Sequence, residues 1–429
     1  MCLGFITGST LTPYSTFAQA LSAGVIPGVS ANVNSSAEAV TPHSTARDPV
    51  ERWALARLAE MSTDEKVRSL VIGHIAGLSP DAMRNAVTSV AEGGAGWGGL
   101  IFMRDNVSDD PTLLAGITAY DTADTELPPV LAIDEEGGEV TRLSFDTGAG
   151  ANVLRDAPPE ATGDAFGERA RLLASLGFNV NFGVVADVTA DPRSFIYTRT
   201  LGSDAQSSAE RVAQAVSHEQ PAVASTLKHF PGHGRTEGDS HEGIPVSFVS
   251  FDEWRVSDAV PFAAGIQAGA TFVMFGHLVF PAVDGAPASM SAEWHRVLRE
   301  ELDFGGIAIT DDLLMLQRSG DPVWSDPYAN AIAALAAGND ALLYVLPADA
   351  SSVGIDINTL VAHVASAVDS GTLSTARIDE AALRMLDFRR RLAPGALAWH
   401  DACDFGCRMP AVDFGTIPLT IAVQSSPPP

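Results

Sequence analysis

Val223-Ala224-Ser225-Thr226-Leu227-Lys228-His229 runs directly into Phe230-Pro231-Gly232-His233-Gly234-Arg235-Thr236-Glu237-Gly238-Asp239-Ser240-His241. A short run with strand character ends in a Lys-His pair, turns at Pro-Gly, and opens into a glycine-rich loop that carries further histidines and carboxylates. Lys228 is one of two lysines in 429 residues, the other being Lys66. A compact ammonium and a flat guanidinium fork are not interchangeable at a binding site, so a chain that otherwise uses Arg has placed a distinct donor here.

The pattern of a strand with a polar end recurs along the chain. Strands are expected at Ser69–His74, Gly98–Met103, Pro129–Asp134, Asn179–Val185, Val223–His229, Thr271–His277, Gly306–Asp311 and Asp340–Val345. Stretches of helical period lie between them, among them Pro80–Glu92, Gly163–Leu176, Ser203–Ser217, Phe251–Ala268 and Ala292–Leu302. Strands alternating with helices imply a parallel sheet. Eight such units in one span imply a closed (β/α)8 TIM-like barrel, α/β in class, rather than an open sheet. Several strands end in a charged or polar residue: His74, Asp134, Lys228-His229, His277 and Asp311. Arg104 and Asn106 follow the second strand and Asp187 the fourth. Barrel enzymes build their sites from the C-terminal ends of several strands, so these residues are expected to converge.

Composition narrows the function. An apolar content of 46% supports a real core, and no apolar run is long enough for a membrane span. The net charge of -27 argues against nucleic acid as a partner, since phosphate binding needs a basic face. It fits a solvated acidic surface. Three cysteines are too few for a disulfide framework and too scattered for a zinc site. Cys403 and Cys407 could pair in an oxidising compartment or stand as unrelated thiols. Residues 1–50 carry little charge, and Phe17-Ala18-Gln19-Ala20 resembles the end of a signal peptide without a basic segment before it. They are expected to be a leader or disordered linker, residues 51–395 a single catalytic domain, and residues 396–429 a tail. Export, to the medium or the cell envelope, is the expected location, with the cytoplasm as the alternative.

Four segments carry chemistry. Ile133-Asp134-Glu135-Glu136-Gly137-Gly138-Glu139-Val140-Thr141-Arg142 takes a strand into a carboxylate and then into paired glycines, which let backbone approach a ligand. An ionised Asp at such a strand end can accept two hydroxyl hydrogen bonds from a polyol; a capping acidic loop is the structural alternative. Tyr197-Thr198-Arg199 places one Arg after the fourth strand, as a ligand donor or as an ion-pair partner. Asp239 and His241, two apart, can point together, the carboxylate orienting the imidazole as a general acid/base near neutral pH. The spacing of His229, His233 and His241 does not match the compact helical zinc motif, and Lys228 would repel a cation, so neither metal nor cofactor is expected. In Ile307-Ala308-Ile309-Thr310-Asp311-Asp312, only one of the two carboxylates can point inward. Asp311 shares parity with Ile307 and Ile309, and a carboxylate there can attack an electrophilic carbon.

Together these segments resemble the family 3 glycoside hydrolases, in the β-N-acetylglucosaminidase branch, over roughly residues 55–390. The matching patterns are Lys228 to Gly234 followed by Asp239-Ser240-His241, then Asp134 to Arg142, Arg199, and Thr310 to Met315. The resemblance implies a retaining two-step mechanism on a carbohydrate with a terminal N-acetylglucosamine, from muropeptide sugars or chitin oligomers. Asp311 is then the nucleophile, His241 oriented by Asp239 the acid/base, and Asp134, Arg142, Arg199, Lys228 and His229 the groups that hold the sugar. Glu139 and Arg235 depart from the residues common in that branch, Arg and Asp respectively, and both lie beside functional positions. A glycosyl phosphorylase and a non-catalytic sugar-binding barrel are the alternatives, and a monomer is expected.

Overall fold

The computed structural model describes residues 48–88, 96–122, 127–236, 238, 240 and 242–393. The leader and tail expectations, with Cys2, Cys403 and Cys407, fall largely or wholly outside these residues. The first described helix, Pro49–Glu60, starts just ahead of the expected domain boundary with Asp48 as its cap. Asp48 also pairs with Arg391 of the last helix, Thr375–Leu392.

Parallel strands β1 (Val71–Gly73), β2 (Gly99–Phe102), β3 (Val130–Ile133), β4 (Val180–Val185), β5 (Ala224–Phe230) and β6 (Phe272–Phe275) follow one another around a ring. A short antiparallel hairpin, β7 (Val279–Phe280) with β8 (Asp284–Pro287), precedes the last two barrel strands, β9 (Ile307–Thr310) and β10 (Leu342–Tyr344). β10 pairs with β1, and the parallel bridge between Ile309 and Ala341 closes the ring from β9 to β10. All eight expected strands are present, each within two residues of its expected bounds.

Helices cover the outside of the ring, so both strand faces are dry and the strands read as continuous apolar runs. Val130 and Ala132 of β3 join Ile101, Phe182, Phe272, Met274, Ile307 and Ile309 in one cluster. Leu131 and Ile133, of opposite parity, join Leu114, Ile117 and Leu173 of the covering helices. The alternation breaks at two places. Register shifts occur between Asn181 and Val184 on β4 and between Leu227 and Phe230 on β5. Such bulges re-aim side chains at strand ends, and these are the strands that deliver Asp187, Lys228 and His229.

Two expected helices differ. Phe251–Ala268 is two helices, Phe251–Val256 and Ala259–Gln267. Pro261 lacks an N–H and is tolerated in the first turn of a helix, so the chain starts a new one there. Ala292–Leu302 runs as Ala292–Arg296 and then widens into a π-helical turn, Val297–Glu301. Among the described residues no helix is long and apolar enough to cross a membrane.

Candidate active site

β3 ends at Ile133, and Asp134 continues the inward parity of Val130 and Ala132. Its Oδ2 accepts from Arg142 Nη2 at 3.0 Å and its Oδ1 from Lys228 Nζ at 3.0 Å. The Lys228 ammonium lies also 2.7 Å from Glu136 Oε1. Arg199 grips Glu136 with both arms, Nη2 to Oε1 at 2.7 Å and Nε to Oε2 at 2.9 Å. Two carboxylates and three cations from the ends of β3, β4 and β5 thus form one network. Lys228 is only 3% exposed, a burial that is tolerable only because both carboxylates touch it. Burial alone pushes the Asp134 carboxyl up, but Lys228 and Arg142 outweigh it and hold it well below the usual carboxylate range. Glu136 is likewise held low against its burial by Lys228 and Arg199. Lys228 is raised, its desolvation outweighed by Asp134 and Glu136.

The loop after Glu136 needs its glycines. Gly137 and Gly138 have φ of 83° and 74°, a conformation that costs other residues dearly. A Cβ on Gly137 would also stand 2.1 Å from Arg169 Nη2.

Beyond β4, Asp187 is fully buried. Its Oδ2 accepts Nδ1–H of His229 at 2.8 Å and its Oδ1 accepts the backbone N–H of His233 at 2.6 Å. With Nδ1 engaged by Asp187, Nε2 is the ring atom of His229 left for another partner. His233 carries the same logic further into the core. Thr236 Oγ1 donates to the His233 carbonyl at 2.8 Å and accepts Nδ1–H of that ring at 2.6 Å. Burial pushes His233 down to about 4, so its ring is neutral.

β9 ends at Thr310, and Asp311 follows with the inward parity of Ile307 and Ile309. Its Oδ1 accepts the Asp312 amide at 2.8 Å. Desolvation opposes its charge, but His229, His277 and Lys228 are near enough to hold the carboxyl below its ordinary value. Asp312 turns away. Its Oδ1 accepts the amides of Val345 at 3.0 Å and Leu314 at 3.2 Å, capping the helix Leu313–Arg318. Burial pushes Asp312 up to about 7. The neighbouring carboxylates therefore have opposite environments, and only Asp311 is presented to the barrel mouth. His277 is tied to Ser289 Oγ at 2.7 Å and the Asp312 carbonyl at 3.0 Å.

Asp134, Arg142, Arg199 and Lys228 are brought into one network, and His229 stands beside it on Asp187. Asp239 and His241 lie outside the described residues. Other strand-end residues fasten loops: Arg104 donates to the Thr141 carbonyl at 2.6 Å, Asn106 to the Ile75 carbonyl at 3.0 Å, and His74 contacts the Leu346 carbonyl and Asp105. The two departures from the family pattern are both engaged. Glu139 accepts from the Thr198 hydroxyl, and Arg235 pairs with Glu253 at 2.6 Å and buried Asp258 at 3.1 Å. Glu136 and His233 carry no expected role in the site, and Asp187 and His277 are expected only as strand-end residues that converge there. A lone lysine at a strand end needs a carboxylate from another strand end, and that signal points to Glu136 as much as to Asp134.

Residues 62–388 match the sequence model of the Glycosyl hydrolase family 3 N terminal domain. The chain is 28% identical over 322 residues to Beta-hexosaminidase A of Pseudoalteromonas piscicida, covering 69% of this chain and 53% of that protein. It therefore spans about half the length of that relative. It is 33% identical over 249 residues to a Beta-hexosaminidase of Pseudomonas aeruginosa (strain LESB58), covering 57% of this chain and 73% of the relative. A solved glycoside hydrolase family 3 beta-N-acetylglucosaminidase from Paenibacillus sp. str. FPU-7 superposes with a TM-score of 0.69 at 30% identity, covering 78% of this chain and 64% of that one. With the match running from the second described helix to the last, this chain belongs to glycosyl hydrolase family 3.

Proposed function

We propose that the protein is a retaining exo-β-N-acetylhexosaminidase that releases terminal β-linked N-acetylglucosamine from muropeptide sugars or chitooligosaccharides. One observation carries this reading: Asp311 is a charged carboxylate at a strand end with a single hydrogen bond among the described residues, on Oδ1. Its Oδ2 has no hydrogen-bond partner among the described residues and lies beside an ion-paired array suited to sugar hydroxyls. The names of the relatives support the choice of sugar.

In the first step Asp311 attacks the anomeric carbon, the glycosidic C–O bond breaks, and the leaving oxygen takes a proton from His241. In the second, His241 removes a proton from water, the water oxygen attacks the same carbon, and Asp311 leaves. Asp239 orients the imidazole. Asp134, Arg142, Arg199, Lys228 and His229 hold the sugar, fixing the carbon over the nucleophile. The fixed charges are set before substrate arrives, which avoids reorganisation during reaction. Residues 51–395 are the catalytic unit in this reading.

A chromogenic N-acetyl-β-glucosaminide tests it. Turnover is expected, with loss in Asp311→Ala; turnover that survives that change removes Asp311 from the role. Assays with and without phosphate separate free N-acetylglucosamine from the sugar 1-phosphate that a phosphorylase would make. Muropeptide-derived disaccharide against chitobiose then ranks the two substrate classes.

A further inference from the structure

Behind the sugar-facing array lies a second layer of acids that the reaction does not use. Glu135 sits between Asp134 and Glu136 and points the other way, fully buried. Its Oε2 accepts the amides of Arg142 at 2.8 Å and Leu143 at 3.1 Å. Its own peptide is held from β4: Asn181 Oδ1 accepts the Glu135 N–H at 3.0 Å, and Asn181 Nδ2 donates to the Glu135 carbonyl at 3.0 Å. The other Nδ2 proton goes to Glu219 Oε1 at 2.6 Å, on the helix Ala205–Glu219. Every polar atom of the Asn181 side chain is used. Gly183, two residues on, leaves it room, since a Cβ there would stand 2.3 Å from Asn181 Nδ2.

We propose that Glu135, clamped by Asn181, is the positioning residue of this site: it touches no reacting atom but sets Arg142 by its side chain and Asp134 and Glu136 by its peptide. The inference rests on the hydrolase reading above for its link to turnover.

Glu135 does this as a neutral acid. The groups that face it are the Arg142 and Leu143 amides of its own loop, Asn181 from β4, and Asp146. Asp146 is already paired with buried Arg169 of the helix Pro159–Ser175, at 2.8 Å. Glu219 stands on the far side of Asn181. One cation thus serves three buried carboxyls, and ionising all of them in a dry pocket costs too much. Burial pushes Glu135 up to about 8 and Glu219 up to about 7. Oε1 of Glu135 accepts nothing among the described residues; as an acid it carries the proton, and Asp146 is the carboxylate beside it. Ionised, Glu135 would repel Asp146 and loosen the loop from Gly137 to Arg142.

Glu135→Gln keeps the shape of the neutral acid, with a carbonyl for the two amides and an N–H for Asp146. It is expected to hydrolyse the chromogenic N-acetylglucosaminide at about the wild-type rate at neutral pH. It should also keep that rate above about pH 8, where the wild type declines. Glu135→Leu leaves two buried amides unpaired and should lose about tenfold or more in kcat/KM while still folding by circular dichroism. A carbon-13 NMR titration of labelled glutamate carboxyls should contain one resonance that titrates near 8 and is missing from Glu135→Gln. An identical alkaline decline in wild type and Glu135→Gln, or a Glu135 resonance that titrates in the ordinary carboxylate range, overturns the proposal. A wild type with no turnover overturns the hydrolase reading instead, and the titration still decides the state of Glu135.

Discussion

Asp187 Oδ2 accepts the Nδ1–H of His229 at 2.8 Å. This one contact fixes the tautomer and the tilt of a ring that adjoins both the lysine network and Asp311. Asp187 also holds the His233 amide, so the first turn after β5 is pinned to the loop after β4. Replacing Asp187 by Asn removes the charge that favours Nδ1–H and cannot serve both donors. We expect kcat/KM to fall about 10- to 100-fold, the cost of a charge-assisted hydrogen bond. The far-ultraviolet circular dichroism should not change. Activity within about twofold of wild type would show that His229 needs no such orientation.

Lys228 is the shared cation of Asp134 and Glu136. Lys228→Met keeps much of the stem and removes the charge, leaving Arg142 and Arg199 to serve one carboxylate each. Breaking a buried pair from one side costs about 3–5 kcal/mol, so a large fall in urea stability is expected. Lys228→Arg restores the charge with the wrong shape. It should recover stability better than it recovers KM for the N-acetylglucosaminide, and equal recovery of both would contradict a ligand-binding role.

Glu219 makes stability depend on pH in a definite direction. Burial raises its pKa to about 7 in the folded chain, against 4.5 ordinarily. Below about pH 4.5 both folded and unfolded states hold the proton, and the stability is fully present. As pH rises through about 7 the unfolded chain holds fewer protons than the folded one, and stability is lost. Glu219→Gln should therefore stabilise the protein more at pH 8 than at pH 5 in urea melts. Glu135 and Asp312, raised to about 8 and about 7, add slopes of the same sign. The variant's profile is thus flatter than wild type but not flat. A variant with the wild-type slope would place the Glu219 proton elsewhere.

Much of this was legible in the sequence, for physical reasons. Parallel strands buried on both faces read as short apolar runs, and all eight stood out between helical periods. Alternation puts Asp311 on the face of Ile307 and Ile309, while Asp312 caps the helix that follows. The register shifts on β4 and β5 are not legible, since a bulge changes which face a residue takes and nothing in the local pattern announces it. One helix over Phe251–Ala268 is the expectation, and the break ahead of Pro261 follows from that proline. Least legible was the layer behind the site. Asn181 lies in an apolar run and Glu135 between two other acids, and only the fold brings them to one another. Asp239 and His241 were read from their spacing and the family resemblance.

The most direct test of the nucleophile is to trap it. A 5-fluoro N-acetylglucosaminyl fluoride forms a glycosyl ester quickly and releases it slowly, so that the adduct can be located by peptide mass spectrometry. The account predicts one N-acetylfluorohexosaminyl group on the peptide containing Asp311, absent from Asp311→Ala. An adduct on a different residue, or turnover through a free oxazoline with no adduct, would contradict it.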